Sequence, residues 1–149
     1  MVIQRIQSLF LLIAVVLLVI FMFTPFGFWN VTDGLADMGL APLVAVSQQG
    51  VMVPVCVAAL LSLIAIFLFK KQSVQKLVVA LAIVSTLASA GMVIYLLTCS
   101  YADTNPQVVL HPQWGGGGLL LVGTLITLVA AYRFISADQR LLRSYDRLR

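Results

Sequence analysis

The sequence contains no glutamate, one histidine and two cysteines among 149 residues, and only 9% of its residues are charged. A soluble domain carries about 25% charged residues, so an ordinary water-exposed surface is excluded. No ionisable side chain falls in the middle of any long apolar run. Ion-coupled transporters and proton relays generally place such a group at membrane depth, and its absence argues against both classes.

The residues that support redox and metal chemistry are equally sparse. Cys56 and Cys99 do not form the Cys-x-x-Cys motif of a thiol oxidase. We expect two free, buried thiols, and a disulfide between them is the alternative in an oxidising compartment. His111 has no partnering cysteine or carboxylate cluster, and one imidazole makes neither a zinc nor a haem site. The sequence therefore predicts no catalytic residue, no metal and no cofactor.

Apolar residues make up 62% of the chain and fall into four blocks, at about 6–24, 51–69, 77–98 and 115–135. Each block approaches the ~20 residues that an α-helix needs to cross about 30 Å of hydrocarbon. Buried strands and core helices are usually shorter. The predicted fold class is an all-α membrane protein, a bundle of four transmembrane helices in a single domain over residues 1–149.

Basic residues lie at alternate ends of these spans. Arg5 precedes the first span, Lys70, Lys71 and Lys76 fill the turn between the second and third, and five arginines close and follow the fourth. The other two connections, 25–50 and 99–114, contain no lysine or arginine. Because positive charge concentrates on the cytoplasmic side, both termini are predicted to be cytoplasmic. The net charge of +4 expresses this asymmetry and indicates no nucleic-acid partner.

The connections 25–50 and 99–114, which contain no lysine or arginine, should form a small extracytoplasmic cap. The runs FGFWNV, PLVAV and QVVLHP are short, prone to form β-strands and separated by Gly, Asp, Asn and Pro, so two or three of them can pair into a sheet. Four successive glycines, 115–118, then lead into the fourth span. We expect a permissive loop there, and a hinge or a close approach of two backbones is the alternative.

Small side chains indicate where the spans pack, because lipid removes most of the hydrophobic drive between helices. The predicted helix-packing residues are Ser62, Ser85, Ser89, Gly123 and Thr127. The first span has only Ala14 among bulky side chains. Spans two to four should therefore form the tighter core, with the first span at its edge, facing lipid or another protein.

The segment 137–149 has the pattern of a separate amphipathic C-terminal helix on the cytoplasmic side, with Ser136 as its cap. Its two faces are formed by Leu141, Tyr145 and Leu148 and, opposite them, by Arg140, Arg143 and Arg147. Such a helix lies on anionic headgroups or docks on a protein partner. We predict docking, because Asp138 and Asp146 weaken its attraction to anionic lipid.

Two segments also carry a resemblance to a known family. IQRIQSLFLLIA at 3–14 and ADQRLLRSYDRLR at 137–149 resemble the two ends of an uncharacterised bacterial family of small four-helix inner-membrane proteins, classed as a domain of unknown function. The resemblance spans the chain and implies a location in the bacterial inner membrane. It implies no activity, substrate or site residue.

Three functions remain open at this point. The missing chemistry and the polar chain ends favour a non-enzymatic accessory or assembly subunit of a bacterial inner-membrane complex. Its partners would be the lipid bilayer and another integral membrane protein. The alternative is a small transporter or pore lined by serine and threonine. A membrane thiol-redox protein would rest on Cys56 and Cys99 alone.

Overall fold

The computed structural model describes residues 2–33, 36–68, 71–99 and 108–146, and the side chains at 7–28, 42–68, 71–98 and 114–141. This part of the chain is mostly helical. Its four long helices are α1 (Val2–Phe23), α2 (Gln49–Phe67), α3 (Gln72–Cys99) and α4 (Gly117–Asp146). Its three strands are β1 (Pro25–Asp33), β2 (Ala36–Val44) and β3 (Val108–Trp114).

Three of the helices are long and apolar enough to cross a membrane. Their apolar segments, Gln49–Phe67, Gln72–Thr98 and Gly117–Leu141, have 19, 27 and 25 residues. Even the shortest is therefore about 28 Å long, close to the thickness of the hydrocarbon layer. The apolar part of α1 that has described side chains, Gln7–Phe23, is shorter than these three. The three long helices are consistent with a membrane protein, and a fourth span stays a prediction.

The helices form a bundle in which contacts follow the cyclic order α1, α2, α3, α4 and back to α1. Phe21 near the end of α1 and Val51 near the beginning of α2 belong to one buried cluster. Leu11 and Ala65, further from that end, belong to a second cluster. Neighbouring helices are therefore antiparallel. We call the end with the strands the sheet end and the opposite end, where α1 begins, the terminal end.

Buried residues recur along each helix in alternating steps of four and three. The stripe of α2 consists of Val51, Val55, Ala58, Ser62 and Ala65, and that of α4 includes Leu121, Thr124, Leu128, Ala131 and Ile135. This mean spacing of 3.5 residues is typical of left-handed bundles with interlocking side chains. Other large apolar side chains lie on the outside, and Leu60, Val84 and Ile126 are all more than 60% exposed. The bundle thus presents an apolar surface on every side.

The prediction that the first span lies at the edge of the bundle is wrong. Its helix, α1, contacts α4 nearly as extensively as α2 contacts α3. The sequence argument counted small residues, whereas α1 packs through large ones: Phe10 stacks on Phe134 of α4 with ring centroids 5.4 Å apart. The fully buried positions of α1 are Leu11, Ala14, Leu18 and Phe21.

The strands form a three-stranded sheet in the order β2-β1-β3, with both outer strands antiparallel to β1. The prediction of a small sheet from the three β-prone runs is confirmed, although the end of PLVAV forms a short 3-10 turn, Ala45–Ser47. Pro42 and Pro112 lie on the two edge strands, where a missing N–H is tolerated. Phe26 and Leu43 are buried in the helix core and join the sheet to the bundle.

Two of the four successive glycines allow the entry of α4 to touch β1. A Cβ atom on Gly115 or Gly117 would lie 2.6 or 2.8 Å from the carbonyl oxygen of Pro25. Gly115 also donates its N–H to the carbonyl of Phe26 at 2.9 Å. Gly116 and Gly118 instead have open space where a Cβ atom would be. The expected permissive loop is therefore wrong, and the alternative, a close approach of two backbones, is what the structure has.

The fourth apolar block and the C-terminal segment form one continuous helix of 30 residues, α4. The expectation of a separate tail helix capped by Ser136 is therefore wrong. Residues 134–138 contain neither glycine nor proline, so no residue there ends a helix. The Ser136 hydroxyl is buried and has no hydrogen-bond partner among the described residues. At 1.5 Å per residue, α4 is about 45 Å long.

Truncation of a buried residue on α1 should destabilise the bundle. We expect Leu18→Ala, at a position with no exposed surface, to lower the free energy of unfolding by about 2–5 kcal/mol, because it leaves a cavity. Leu12→Ala is the control, since Leu12 is 54% exposed. Unfolding in mild detergent would measure both. Equal losses would contradict a core position for α1.

The glycine pairs offer a matched comparison. Gly115→Ala and Gly117→Ala should each cost about 1–3 kcal/mol, because backbone atoms of β1 must move to admit a methyl group. Gly116→Ala and Gly118→Ala should be neutral or stabilise the protein by about 0.4–1 kcal/mol, because alanine lowers the conformational entropy of the unfolded chain. Melting temperatures of the four variants would test this, and uniform behaviour would mean that the close approach to Pro25 does not govern stability.

Candidate functional site

Polar contacts join α3 to α4 at the terminal end of the bundle. The side-chain amide of Gln72 donates a hydrogen bond to the Asp138 carboxylate. One turn further along α3, the Lys76 Nζ lies 5.1 Å from the centroid of the Tyr132 ring. A cation in this position is attracted by the ring electrons. Together the two contacts fix the beginning of α3 against the last part of α4.

Two glutamines close the core at the same end. Gln7 of α1 is 3% exposed and Gln75 of α3 is 2% exposed, and each continues the buried stripe of its helix. The Gln7 Nε2 has no hydrogen-bond partner among the described residues. An unpaired buried polar group costs about 1–3 kcal/mol. Gln7 and Gln75 therefore place two amide groups in the core at the terminal end.

A groove of about 930 Å³ lies between α3 and α4 at the terminal end, and we call it the basic groove. Its lining residues are Lys76, Tyr132, Arg133, Ser136, Ala137, Gln139, Arg140 and Leu141. Three of them are cations and none is acidic. The carboxylate of Asp138, which does not line the groove, accepts the hydrogen bond from Gln72. The ligands that match this lining are anions.

A second groove, of about 460 Å³, lies between the same two helices at the sheet end. Its lining is apolar and glycine-rich, with the indole of Trp114 as its largest member. Trp114 is 66% exposed. Two grooves on one pair of helices agree with the packing, because α3 and α4 contact each other less than α2 contacts α3. Charge distinguishes the two grooves, since no charged residue lines this one.

Four hydroxyl side chains form a layer between the two apolar core clusters. Each is fully buried and donates to a carbonyl of its own helix at 2.7 or 2.8 Å. The four are Ser62, Thr86, Ser89 and Thr124. Because their hydrogens are used within the helices, the layer offers only oxygen lone pairs to a passing solute. This arrangement satisfies polar groups inside the bundle.

The predicted packing residues occupy different positions in the bundle. Ser62 and Ser89 belong to the hydroxyl layer, whereas Ser85 donates across the helix interface to the carbonyl of Pro54 at 2.7 Å. Gly123 is half-buried, and a Cβ atom there would lie 3.7 Å from Leu17 Cδ1, an ordinary contact. Thr127 is half-buried and donates to the Thr124 carbonyl at 2.8 Å.

Of the predicted tail residues, the structure brings Arg140 and Leu141 into the basic groove. Arg143 and Tyr145 belong to α4, but their side chains lie outside the described residues, as do Arg147 and Leu148 altogether. Sequence reasoning missed Lys76, Tyr132 and Arg133 as members of the same site. The available signal was that the third span begins and the fourth ends on the same side with basic residues.

Of the two cysteines, only Cys56 has a described side chain. Cys56 has a free thiol and is half-buried, and the side chain of Cys99, like that of His111, lies outside the described residues. The disulfide between Cys56 and Cys99 therefore stays untested. Within the ranges with described side chains, no three His, Cys, Asp or Glu residues come together as metal ligands would.

Long apolar helices around a core with small and hydroxyl side chains, with the described lysines and arginines at one end, define the class: a helical bundle consistent with a membrane protein. The chain belongs to the family described as domain of unknown function (DUF4293), whose model matches residues 3–148. The predicted resemblance to a family of unknown function is thereby confirmed. No curated protein matches the chain. Family membership brings no activity, so function must be argued from the site.

Proposed function

We propose that this protein is a non-enzymatic accessory or assembly subunit of a bacterial inner-membrane complex, with four membrane spans and both termini in the cytoplasm. The observation that carries the proposal is the continuous helix α4. Its length of about 45 Å exceeds the hydrocarbon layer by roughly 15 Å, so its last turns leave the membrane as a rigid extension. A projecting helix with one apolar and one basic face suits docking into a groove of a partner.

The contacts at the terminal end support this role because they fix the direction in which α4 leaves the bundle. Asp138 is held by Gln72, and Tyr132 lies beneath Lys76. A docking element that is ordered before binding loses less conformational entropy on binding. The proposed contact residues within α4 are Arg140, Leu141, Arg143 and Tyr145. Arg147 and Leu148, also proposed as contacts, lie outside the described residues.

Packing and charge support the four-span arrangement. The stripe of α1 packs on α4 over most of the length of α1, and a helix so placed crosses whatever layer α4 crosses. Lys71, Lys76, Arg133 and Arg140 all lie at the terminal end, and no basic residue occurs in the segments that connect the helices at the sheet end. This distribution favours a cytoplasmic terminal end. The sheet would then be the extracytoplasmic cap.

A small transporter or pore is the second candidate, and the buried hydroxyl layer favours it. A path along the bundle axis would pass Ser62, Thr86, Ser89 and Thr124. Against it stands their hydrogen bonding, since each hydroxyl already donates within its helix. The two described grooves lie on the side of the bundle between α3 and α4, and no residue of this layer is among their described lining. The accessory role therefore remains the better supported proposal.

Two exposed serines at opposite ends test the orientation. In a cysteine-free background, Ser73→Cys at the terminal end should resist a membrane-impermeant thiol reagent in intact cells. Ser47→Cys at the sheet end should react, because both side chains are exposed and only one faces outward in the proposed topology. Permeabilised cells, in which both must react, are the control. The reverse pattern would overturn the proposed orientation.

Partner docking is tested by shortening the tail without disturbing the bundle. A chain ending at Leu141 keeps the Gln72–Asp138 hydrogen bond and should retain its melting temperature while losing its co-purifying membrane partner. Replacing Arg140, Arg143 and Arg147 by lysine should also weaken co-purification, because lysine cannot reproduce planar, bidentate contacts with carboxylates. Lys71→Arg is the control. Full retention by both tail variants would refute docking through the tail.

A further inference from the structure

We propose that the basic groove binds the phosphate headgroup of an anionic phospholipid. The proposal goes beyond the accessory role. It rests on the membrane location proposed above but does not need a protein partner. Three observations carry it: the charge of the lining residues, their depth along the helices, and the apolar surface that continues from the groove.

The first observation is that cations from two helices line one groove, with no acidic side chain among its described lining residues. Lys76 comes from α3, and Arg133 and Arg140 come from α4. Like charges held on one groove repel one another, and an anion between them removes that cost. Guanidinium groups bind phosphate oxygens through two parallel N–H donors, while a lysine supplies a compact charge. The Ser136 hydroxyl, which also lines the groove, has no hydrogen-bond partner among the described residues.

The second observation is depth. From Lys76 to Tyr95, α3 extends about 28 Å at 1.5 Å per residue, close to the ~30 Å of the hydrocarbon layer. Tyr95 is 54% exposed, as expected of a tyrosine at the opposite interface. Lys76 therefore lies at the other edge of the apolar layer, where lipid phosphates lie. Arg133 lies at a similar depth, because it follows Tyr132, whose ring contacts Lys76.

The third observation distinguishes a lipid from an acidic peptide. Leu77 and Val129 lie next to the groove residues along α3 and α4, towards the middle of the bundle, and are 60% and 45% exposed. Neither lines the groove, but both belong to the exposed apolar surface of the two helices, on which acyl chains can pack. A phospholipid matches both parts, since its headgroup is anionic and its chains are apolar. An acidic peptide would match only the cations.

The test measures lipid binding by the purified full-length chain in neutral detergent. Phosphatidylglycerol and phosphatidylcholine with identical acyl chains are titrated at fixed ionic strength, and bound lipid is counted by native mass spectrometry. We expect tight binding of phosphatidylglycerol and no tight binding of phosphatidylcholine. Lys76→Gln and Arg133→Gln should each weaken it about fivefold, and the double variant roughly thirtyfold. Lys71→Gln should leave it unchanged, because Lys71 is an exposed cation outside the groove lining.

Several results would overturn the proposal. Equal binding of phosphatidylcholine would remove the role of charge, and an equal loss in Lys71→Gln would reduce it to general surface attraction. Displacement of the lipid by inorganic phosphate at comparable concentration would indicate a free-phosphate site, and displacement by a poly-aspartate peptide a peptide site. Lys76→Gln could also lower the melting temperature, because it removes the contact with Tyr132. In that case the lipid binding of Arg133→Gln alone tests the proposal, since Arg133 is exposed. A chain ending at Leu141 should lose the protein partner but still bind the lipid. The docking proposal and the lipid proposal can therefore fail independently.

Discussion

Interlocking of unequal side chains determines this structure, because four helices that are apolar all round cannot distinguish inside from outside by polarity. Large residues of α1, such as Leu18 and Phe21, are buried in the same core as Ala58 of α2. The steps of four and three keep each stripe facing the bundle axis. We call these packed stripes the seam, and the positions of the sheet and of the grooves depend on it. The sheet is anchored to it through Phe26, and its two ends determine which side chains meet at the grooves.

The distribution of polar groups along the seam separates structural from functional chemistry. At mid-depth the hydroxyls bond within their own helices, which lets small polar residues sit in the core without an unpaired donor. At the terminal end, not every described polar group is paired within its own helix in this way. The Gln7 Nε2 has no partner among the residues with described side chains, and the described lining of the basic groove holds three cations and no acid. Polar groups that packing does not require are the ones for which a ligand or partner is the natural explanation.

Much of the fold could be predicted from the sequence, because span length and β-prone runs are local properties. Hydropathy located all four helices, and the short β-prone runs located the sheet. The seam could not be predicted, since a period is invisible when nearly every position is apolar. That is why α1 was misplaced. The basic groove was missed for another reason: Lys76 and Arg133 are distant in sequence, and their meeting depends on how α3 and α4 pack. The close approach of Gly115 and Gly117 to the backbone of β1 could not be predicted either, because it too depends on how distant segments pack.

Arg140 connects the two proposed roles of the terminal end. It lines the basic groove and also begins the projecting part of α4. An anionic headgroup bound there would offset the repulsion between Arg140 and Arg133, which are both exposed on the same helix, and would add a contact to those that Gln72 and Lys76 already make with α4. The helix would then leave the membrane in a better fixed direction, and the ordering cost of docking would fall. Lipid binding and partner docking would thus be positively coupled through one helix, and by thermodynamic reciprocity each would strengthen the other.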